Sequence, residues 1–326
     1  MTISVCMCTY NGENFIKEQL ESIFNQMRQP DEVIICDDDS ADSTVKIISE
    51  FIREKELQSK WKLYVNETNK GYPGNFFYAM SLCTGDVVFL SDQDDVWKRD
   101  KLKIMGDVLE REKDVNVLAS KYKLIDAKDK NIHTLLASGE GIRTHFARAE
   151  SEICKNLKKI TLADSFYKYE LPGMVLAYRN EWYRKREIIN SAVPHDFLIT
   201  AMAAEENSLF RIDKELAYHR LHINNTAEEE WRLKKLLNKE RKLKEISKYI
   251  RNLQSLKKEK RLNNPEARAE LAEKINSMEG RYAALKSGKR TQVIQNARKY
   301  KKITRPATVI CDFLIAGQKY GKQREN

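Results

Sequence analysis

Four short apolar runs in the first hundred residues each end in a cluster of polar or acidic side chains, and this repeated pattern restricts the chain to few folds. Residues 3–8 lead into Thr9-Tyr10-Asn11-Gly12-Glu13, and residues 32–36 into Asp37-Asp38-Asp39-Ser40. Residues 61–65 lead to Asn69-Lys70-Gly71-Tyr72, and residues 87–91 to Asp92-Gln93-Asp94-Asp95. Between the runs, Ile16, Leu20, Ile23, Phe24 and Met27, then Val45, Ile48, Phe51 and Ile52, recur at the three- and four-residue steps of helices with one buried face. Strands alternating with such helices predict an α/β sheet with crossover helices, parallel by default, and a further strand is expected near residues 115–120. Ligands bind such sheets outside the carboxyl ends of the strands, where all four clusters fall. Singly, each cluster has a plain explanation: Asn11-Gly12 as a turn, Ser40 or Asp42 as a helix cap, residues 69–74 as a loop. Capping does not explain why all four lie on one sheet edge.

The carboxylates carry the chemical argument. Asp92, Asp94 and Asp95 arrive together at one strand end, where three like charges repel unless something cationic sits among them. Hard oxygen ligands suit Mg²⁺ or Mn²⁺, and Mg²⁺ usually takes one or two carboxylates and completes its shell with phosphate oxygens and water. A metal-bound diphosphate fits. The sequence lacks the Gly-x-x-x-x-Gly-Lys-Ser/Thr loop of P-loop hydrolases and has no Gly-x-Gly-x-x-Gly after the first strand, so a sugar nucleotide is the leading ligand.

Bulk properties set further bounds. No stretch of the 326 residues approaches the roughly 20 apolar residues of a membrane-spanning helix. The N-terminus runs directly into a strand-like segment, without the basic and apolar regions of a secretory leader, so a cytoplasmic protein is expected. Cys6, Cys8, Cys36, Cys83, Cys154 and Cys311 are scattered without zinc spacing and read as core thiols in a reducing compartment. Charge is unevenly divided: residues 227–326 hold 27 Lys+Arg against 12 Asp+Glu, a net +15, whereas the remainder is −5. The chain reads as a mildly acidic catalytic body with a basic tail.

Three segments together resemble the family 2 glycosyltransferases of the GT-A fold. They are Ser4-Val5-Cys6-Met7-Cys8-Thr9-Tyr10-Asn11-Gly12, Ile34-Ile35-Cys36-Asp37-Asp38-Asp39-Ser40-Ala41-Asp42-Ser43-Thr44, and Gly85-Asp86-Val87-Val88-Phe89-Leu90-Ser91-Asp92-Gln93-Asp94-Asp95-Val96-Trp97. The run Ser-Asp-Gln-Asp-Asp-x-Trp is similar to the bacterial rhamnosyltransferase-like branch of polysaccharide assembly. The resemblance implies a GT-A α/β fold with a mainly parallel central sheet. It places Thr9 and Tyr10 at the base pocket, has Asp38 bonding the base, and sets Asn69 and Asn75 at the nucleotide border, with Glu13 as a further nucleotide-side residue. Asp92 would contact the ribose, or the metal through water, and Asp94 would ligate the metal that bridges the diphosphate.

The second half must supply acceptor recognition and a general base. Pro194-His195-Asp196, before the apolar run 197–202, is similar to the branch's His-Asp motif. Asp196 is the expected base, with inversion at the anomeric carbon, and His195, Gly173 and Met174 are expected on the acceptor side. Outside that resemblance, Asp196 reads as a helix cap and Leu171-Pro172-Gly173-Met174 as a turn. Tyr218-His219-Arg220-Leu221-His222 is similar to the family's Tyr-Arg-x-His segment with His219 inserted. This makes His222 a metal ligand or diphosphate contact and favours Mn²⁺, which imidazole suits better than Mg²⁺. No Gln-x-x-Arg-Trp motif of processive synthases occurs, so single-sugar transfer is expected.

The expected organisation is a catalytic domain over residues 1–226, with a donor half to residue 100 and an acceptor half beyond it, then a basic helical hairpin over residues 227–326. One hairpin stripe runs through Leu233, Leu236, Leu237, Leu243, Ile246, Ile250 and Leu253. The other runs through Leu271, Ile275, Met278, Tyr282 and Leu285, its helix starting at Asn264-Pro265. The stripes could pack on each other, on the catalytic domain or across a homodimer, and the basic face could meet an anionic leaflet carrying a lipid-linked oligosaccharide acceptor. Two competing classes are a sugar nucleotidyltransferase, whose Gly-rich N-terminal loop is missing, and a nucleic-acid binder using the tail, which leaves the acidic clusters unexplained. No nucleic-acid partner is expected.

Overall fold

A computed structural model describes residues 1–126, 157–167, 171–188, 191–221, 238–301, 304 and 306–318. The N-terminal third alternates as the sequence pattern predicts: β1 (Ile3–Thr9), α1 (Ile16–Phe24), β2 (Glu32–Asp37), α2 (Thr44–Glu54), β3 (Trp61–Val65), α3 (Gly71–Leu82) and β4 (Val87–Asp92). The strands β3, β2, β1 and β4 pair in that order, all parallel. Val5, Met7, Ile35, Val88 and Leu90 have no exposed surface, as expected of parallel strands covered on both faces. The parallel register brings Cys8 level with both Cys36 and Asp92, so the polar clusters after β1, β2 and β4 emerge side by side.

The sheet continues through β5 (Val96–Trp97), α4 (Lys101–Arg111), β6 (Val117–Asp126), β7 (Lys158–Lys159), a 3-10 turn (Gly173–Val175), β8 (Leu176–Arg179), α6 (Asn180–Arg184), α7 (His195–Glu205) and β9 (Leu209–Leu221). The short helix α5 (Leu162–Tyr167) lies between β7 and the turn in sequence. Beyond β4 the order is β8, β6, β9 and β5. Strand β8 is antiparallel to β4 and β6, β6 is parallel to β9, and β5 and β7 run against β9. The strand expected at residues 115–120 extends to Asp126, because it follows β9 past an irregularity in register near Lys121. The result is the GT-A type of mixed α/β fold that the resemblance implies.

Clustering by contacts divides the chain into two compact units, one of residues 1–161 and 170–222, the other of residues 162–169 and 223–326. Helix α5 belongs to the second, although the sequence reading assigns residues 162–169 to the acceptor half. The second unit contains α8 (Lys239–Lys258) and α9 (Pro265–Ser287), the expected hairpin pair, and adds α10 (Arg290–Lys299) and α11 (Pro306–Ala316). Leu243, Ile246 and Leu253 are buried with Leu271, Ile275, Met278 and Leu285, while Leu233, Leu236 and Leu237 lie outside the described residues.

The start of α9 follows the sequence reading. Asn264 Oδ1 accepts from the backbone N–H groups of Glu266 and Ala267, and Pro265, which has no N–H to satisfy, takes the first helical position. Asn264→Ala is expected to cost about 1 kcal/mol, seen as a lower midpoint in urea with an unchanged slope. No change in midpoint would mean that the cap does not hold this helix start. No helix among the described residues is long and apolar enough to cross a membrane.

Candidate active site

The loops after β1 and β2 are tied together. Thr9 Oγ1 donates to Asp37 Oδ2 at 2.6 Å, and Asp37 also accepts from the N–H and hydroxyl of Ser40. Asn11 adopts a left-handed conformation (φ 47°), and its Oδ1 accepts from the N–H of Ala41. Glu13 accepts from the N–H of Ser43, which commits a carboxylate expected on the nucleotide side to holding the entry to α2. Asp38, 3% exposed, accepts from Asn66 Nδ2 and from the N–H groups of Lys70 and Gly71. Three of its roughly four acceptor positions therefore go to the loop before α3. Asn69 Nδ2 donates to the Asp38 carbonyl, and Asn75 bridges Asn66 and the Cys36 carbonyl. Tyr10 is 49% exposed beside this framework.

Gln93 joins β4 to β1. Its Oε1 accepts from Tyr10 N–H at 2.8 Å and its Nε2 donates to the Tyr10 carbonyl at 2.9 Å. Gly12 makes room for it: a Cβ there would lie 2.2 Å from Gln93 Oε1. Gln93 appears in the sequence as a spacer between aspartates, and only the adjacency of β1 and β4 reveals its role.

The three aspartates do not act as one group. Antiparallel pairing of Val96 with Tyr218 and Trp97 with Ala217 carries Asp95 opposite His219. Asp95 is fully buried, and His219 Nδ1 lies 2.8 Å from its Oδ1. Burial disfavours charge on the imidazole, but Asp95, with help from Asp94 and Asp92, outweighs it and lifts His219 to about 9. His219 is therefore a cation at neutral pH. Next to it, Arg220, 1% exposed, donates from Nε to the Asp94 carbonyl at 2.9 Å and pairs with Glu18, fixing the main chain of the acidic loop from behind. Burial first, then Asp95 and Asp94, push the Asp92 carboxyl well above its ordinary range.

Gly173, His195 and Asp196, expected from the sequence on the acceptor side, converge with Asp92. A Cβ on Gly173 would lie 3.0 Å from His195 Nε2 and 3.8 Å from Asp92 Oδ2, so a side chain there would press on His195. His195 is fully buried, stacked on Phe76 with ring centroids 3.8 Å apart, and neither ring nitrogen has a hydrogen-bond partner. Burial pushes it down to about 3, so it is neutral. Asp196, in the first turn of α7, accepts from the N–H of Phe197 at 2.7 Å. Burial outweighs this donor and raises Asp196 to about 6. Met174 is buried, and its carbonyl accepts from Lys101, whose ammonium lies 4.3 Å from the centre of the Trp97 ring. Burial lowers Lys101 to about 7 despite the pull of Asp95 and Asp92. No motif in the sequence points to this lysine.

The donor set fits a divalent ion in one respect: the mutual repulsion of Asp92, Asp94 and Asp95, which helps push Asp92 up, is the kind that a bound cation would relieve. Among the described residues no three His, Cys, Asp or Glu side chains form a ready-made cage, so phosphate and water would have to complete any shell. His222, the expected third ligand, lies outside the described residues.

Residues 4–170 match the family described as Glycosyl transferase family 2. The chain belongs to that family. As a family 2 glycosyltransferase it is 28% identical over 232 residues to the dTDP-rhamnosyl transferase RfbG of Shigella flexneri, covering 67% of this chain and 72% of RfbG. Matches to the curated relatives RfbG and others span 66%, 72% and 47% of those proteins' own lengths. In structure this glycosyltransferase resembles TarS 1–349 of S. aureus in complex with UDP-GlcNAc (TM-score 0.58, 20% identity, 98% of this chain and 82% of that one). It also resembles the mannosyltransferase PcManGT of Pyrobaculum calidifontis in complex with GDP-Man and Mn²⁺ (TM-score 0.52, 17% identity, 97% and 85%). At these identities the structural likeness speaks to the fold.

Proposed function

We propose that this glycosyltransferase is metal-dependent and inverting, and moves a single sugar from dTDP-rhamnose or a UDP-hexose to a hydroxyl of a growing or lipid-linked glycan in bacterial cell-surface polysaccharide assembly. The observation that carries this reading is the meeting at Gly173 of a donor-side carboxylate, Asp92, and the half-buried Asp196. The dTDP-rhamnosyl activity in the name of RfbG and the UDP-GlcNAc bound by TarS support the donor classes, and PcManGT with GDP-Man and Mn²⁺ supports the metal.

The Asp196 carboxylate takes the proton of the acceptor hydroxyl as that oxygen forms its bond to the anomeric carbon. The bond from that carbon to the diphosphate breaks on the opposite face, and the nucleotide diphosphate leaves. A base with a pKa near the working pH suits this transfer. The Phe197 N–H holds the carboxylate in place, and neutral His195 lies against Gly173. Asp94, with Asp92 beside it and His222 as a further candidate ligand, would hold a Mn²⁺ or Mg²⁺ ion, which when bound neutralises charge on the leaving diphosphate. Tyr10 supplies an exposed ring for a base, over the loops fixed by Thr9, Asp38, Asn69 and Asn75.

Thermal unfolding with UDP, dTDP, GDP, CDP and ADP, each with and without Mn²⁺, tests the donor site. A nucleotide at about 100 times its Kd stabilises by roughly 2.7 kcal/mol. A Mn²⁺-dependent rise in Tm with UDP or dTDP is expected. A rise with neither nucleotide would refute the donor assignment, and equal rises with and without metal would refute metal dependence.

A further inference from the structure

The second unit carries a surface that nucleotide-sugar chemistry does not use. From residue 280 to residue 324 the sequence has 12 Lys+Arg and one carboxylate, Asp312. That carboxylate is 3% exposed and is bound by Arg281 through Nε and Nη2, at 2.5 and 2.9 Å. No carboxylate is therefore exposed among the described residues of α10 and α11. Lys286, Lys289, Arg290, Arg298, Lys299 and Lys301 are all exposed.

The same stretch exposes large apolar side chains. Ile310 is 61% exposed and Leu314 is 53% exposed, one helical turn apart on α11, and Ile294 on α10 is 37% exposed. Buried Ile315, Ala316 and Asp312 hold the other face of α11 against its own unit, so Ile310 and Leu314 point outward from a seated helix. Apart from Asp312, α11 carries no charged side chain.

Two helices whose exposed charges are all basic, and which also expose Ile294, Ile310 and Leu314, match the headgroup and acyl layers of an anionic bilayer. A polyanion such as RNA would account for the charges but would leave Ile310 and Leu314 in water. We propose that the α10–α11 face docks on anionic phospholipid, with Ile310 and Leu314 entering the acyl boundary and Arg298, Lys299 and Lys301 meeting the phosphates.

Sedimentation of the full chain with vesicles of phosphatidylcholine alone, and of phosphatidylcholine mixed with phosphatidylglycerol, tests this proposal. Binding to the mixed vesicles only is expected. It should weaken when salt is raised from about 0.1 M to 1 M, which shortens the screening length from about 10 Å to 3 Å. The pair Ile310→Gln and Leu314→Gln, and separately the triple change Arg298→Gln, Lys299→Gln and Lys301→Gln, should each weaken binding at least tenfold. The nucleotide-induced rise in Tm should persist in both variants, which keeps failure here distinct from failure of the donor site. Wild-type protein left in the supernatant with anionic vesicles would overturn the proposal. So would vesicle binding indifferent to the Ile310 and Leu314 changes, RNA binding without vesicle binding, or a dimer in solution that those two changes dissolve.

Discussion

Asp196→Asn is expected to lower kcat by about 10² to 10⁴ while leaving the protein folded, because the amide keeps the shape of the carboxylate and loses its ability to take a proton. Two signatures separate lost catalysis from lost structure. In the wild type, kcat/KM should rise with pH and level off above about 6, the value to which burial lifts Asp196. The second signature is stability. The native pKa lies above the value near 3.9 of an exposed aspartate, so the folded state binds more protons between the two. Stability contributed by this group therefore falls as pH rises through that window, and the penalty is complete above about 6. Asp196→Asn should thus equal or exceed the wild-type Tm at pH 8 despite its lost activity. A variant that retains wild-type kcat, or that loses activity only because it unfolds, would remove Asp196 from the role of base.

Asp94→Ala should be comparably damaging to activity, with a distinct binding signature. Charge stabilisation by a bound ion is worth several kcal/mol, and each 1.36 kcal/mol is tenfold in rate, so a loss of roughly 10² to 10⁴ is expected at saturating Mn²⁺. The Mn²⁺-dependent part of the nucleotide-induced Tm rise should also vanish in Asp94→Ala and persist in Asp196→Asn. Chelating the metal from the wild type should reproduce the Asp94→Ala result. Equal activity of Asp94→Ala and wild type with Mn²⁺ present would refute the assignment.

Much of the donor half is legible in sequence because it rests on local signals. Apolar runs, helical steps and the residues ending each run place β1 to β4 to within one residue at their ends, and parallel pairing then aligns the clusters without further information. Asp95 shows where such reading stops. In sequence it is a third acidic residue beside Asp92 and Asp94, but in the fold it is the buried partner of His219, 124 positions away. The sequence argument looks to a metal to relieve three carboxylates, whereas in the fold one of them, Asp95, is met by His219, read in sequence as an insertion. Lys101 is hidden for a different reason: a lysine in the first turn of a helix looks like a solvated side chain, and its burial depends on the Trp97 ring and the Met174 carbonyl arriving from elsewhere. Asp38 is legible as a polar residue at a strand end and Asn75 through the family resemblance, but neither as a strut that spends most of its hydrogen-bonding capacity within the protein.

The paired hydrogen bonds between Gln93 and the Tyr10 backbone have a consequence for engineering. They make the turn after β1 and the acidic loop after β4 a single mechanical part, although 83 positions separate them. Exchanging the turn alone for a relative's would leave its hydrogen-bonding partner behind. A graft that brings any side chain at position 12 meets the amide at position 93, which must then leave its place. An exchange that keeps these contacts moves Tyr10 and Gly12 together with Gln93.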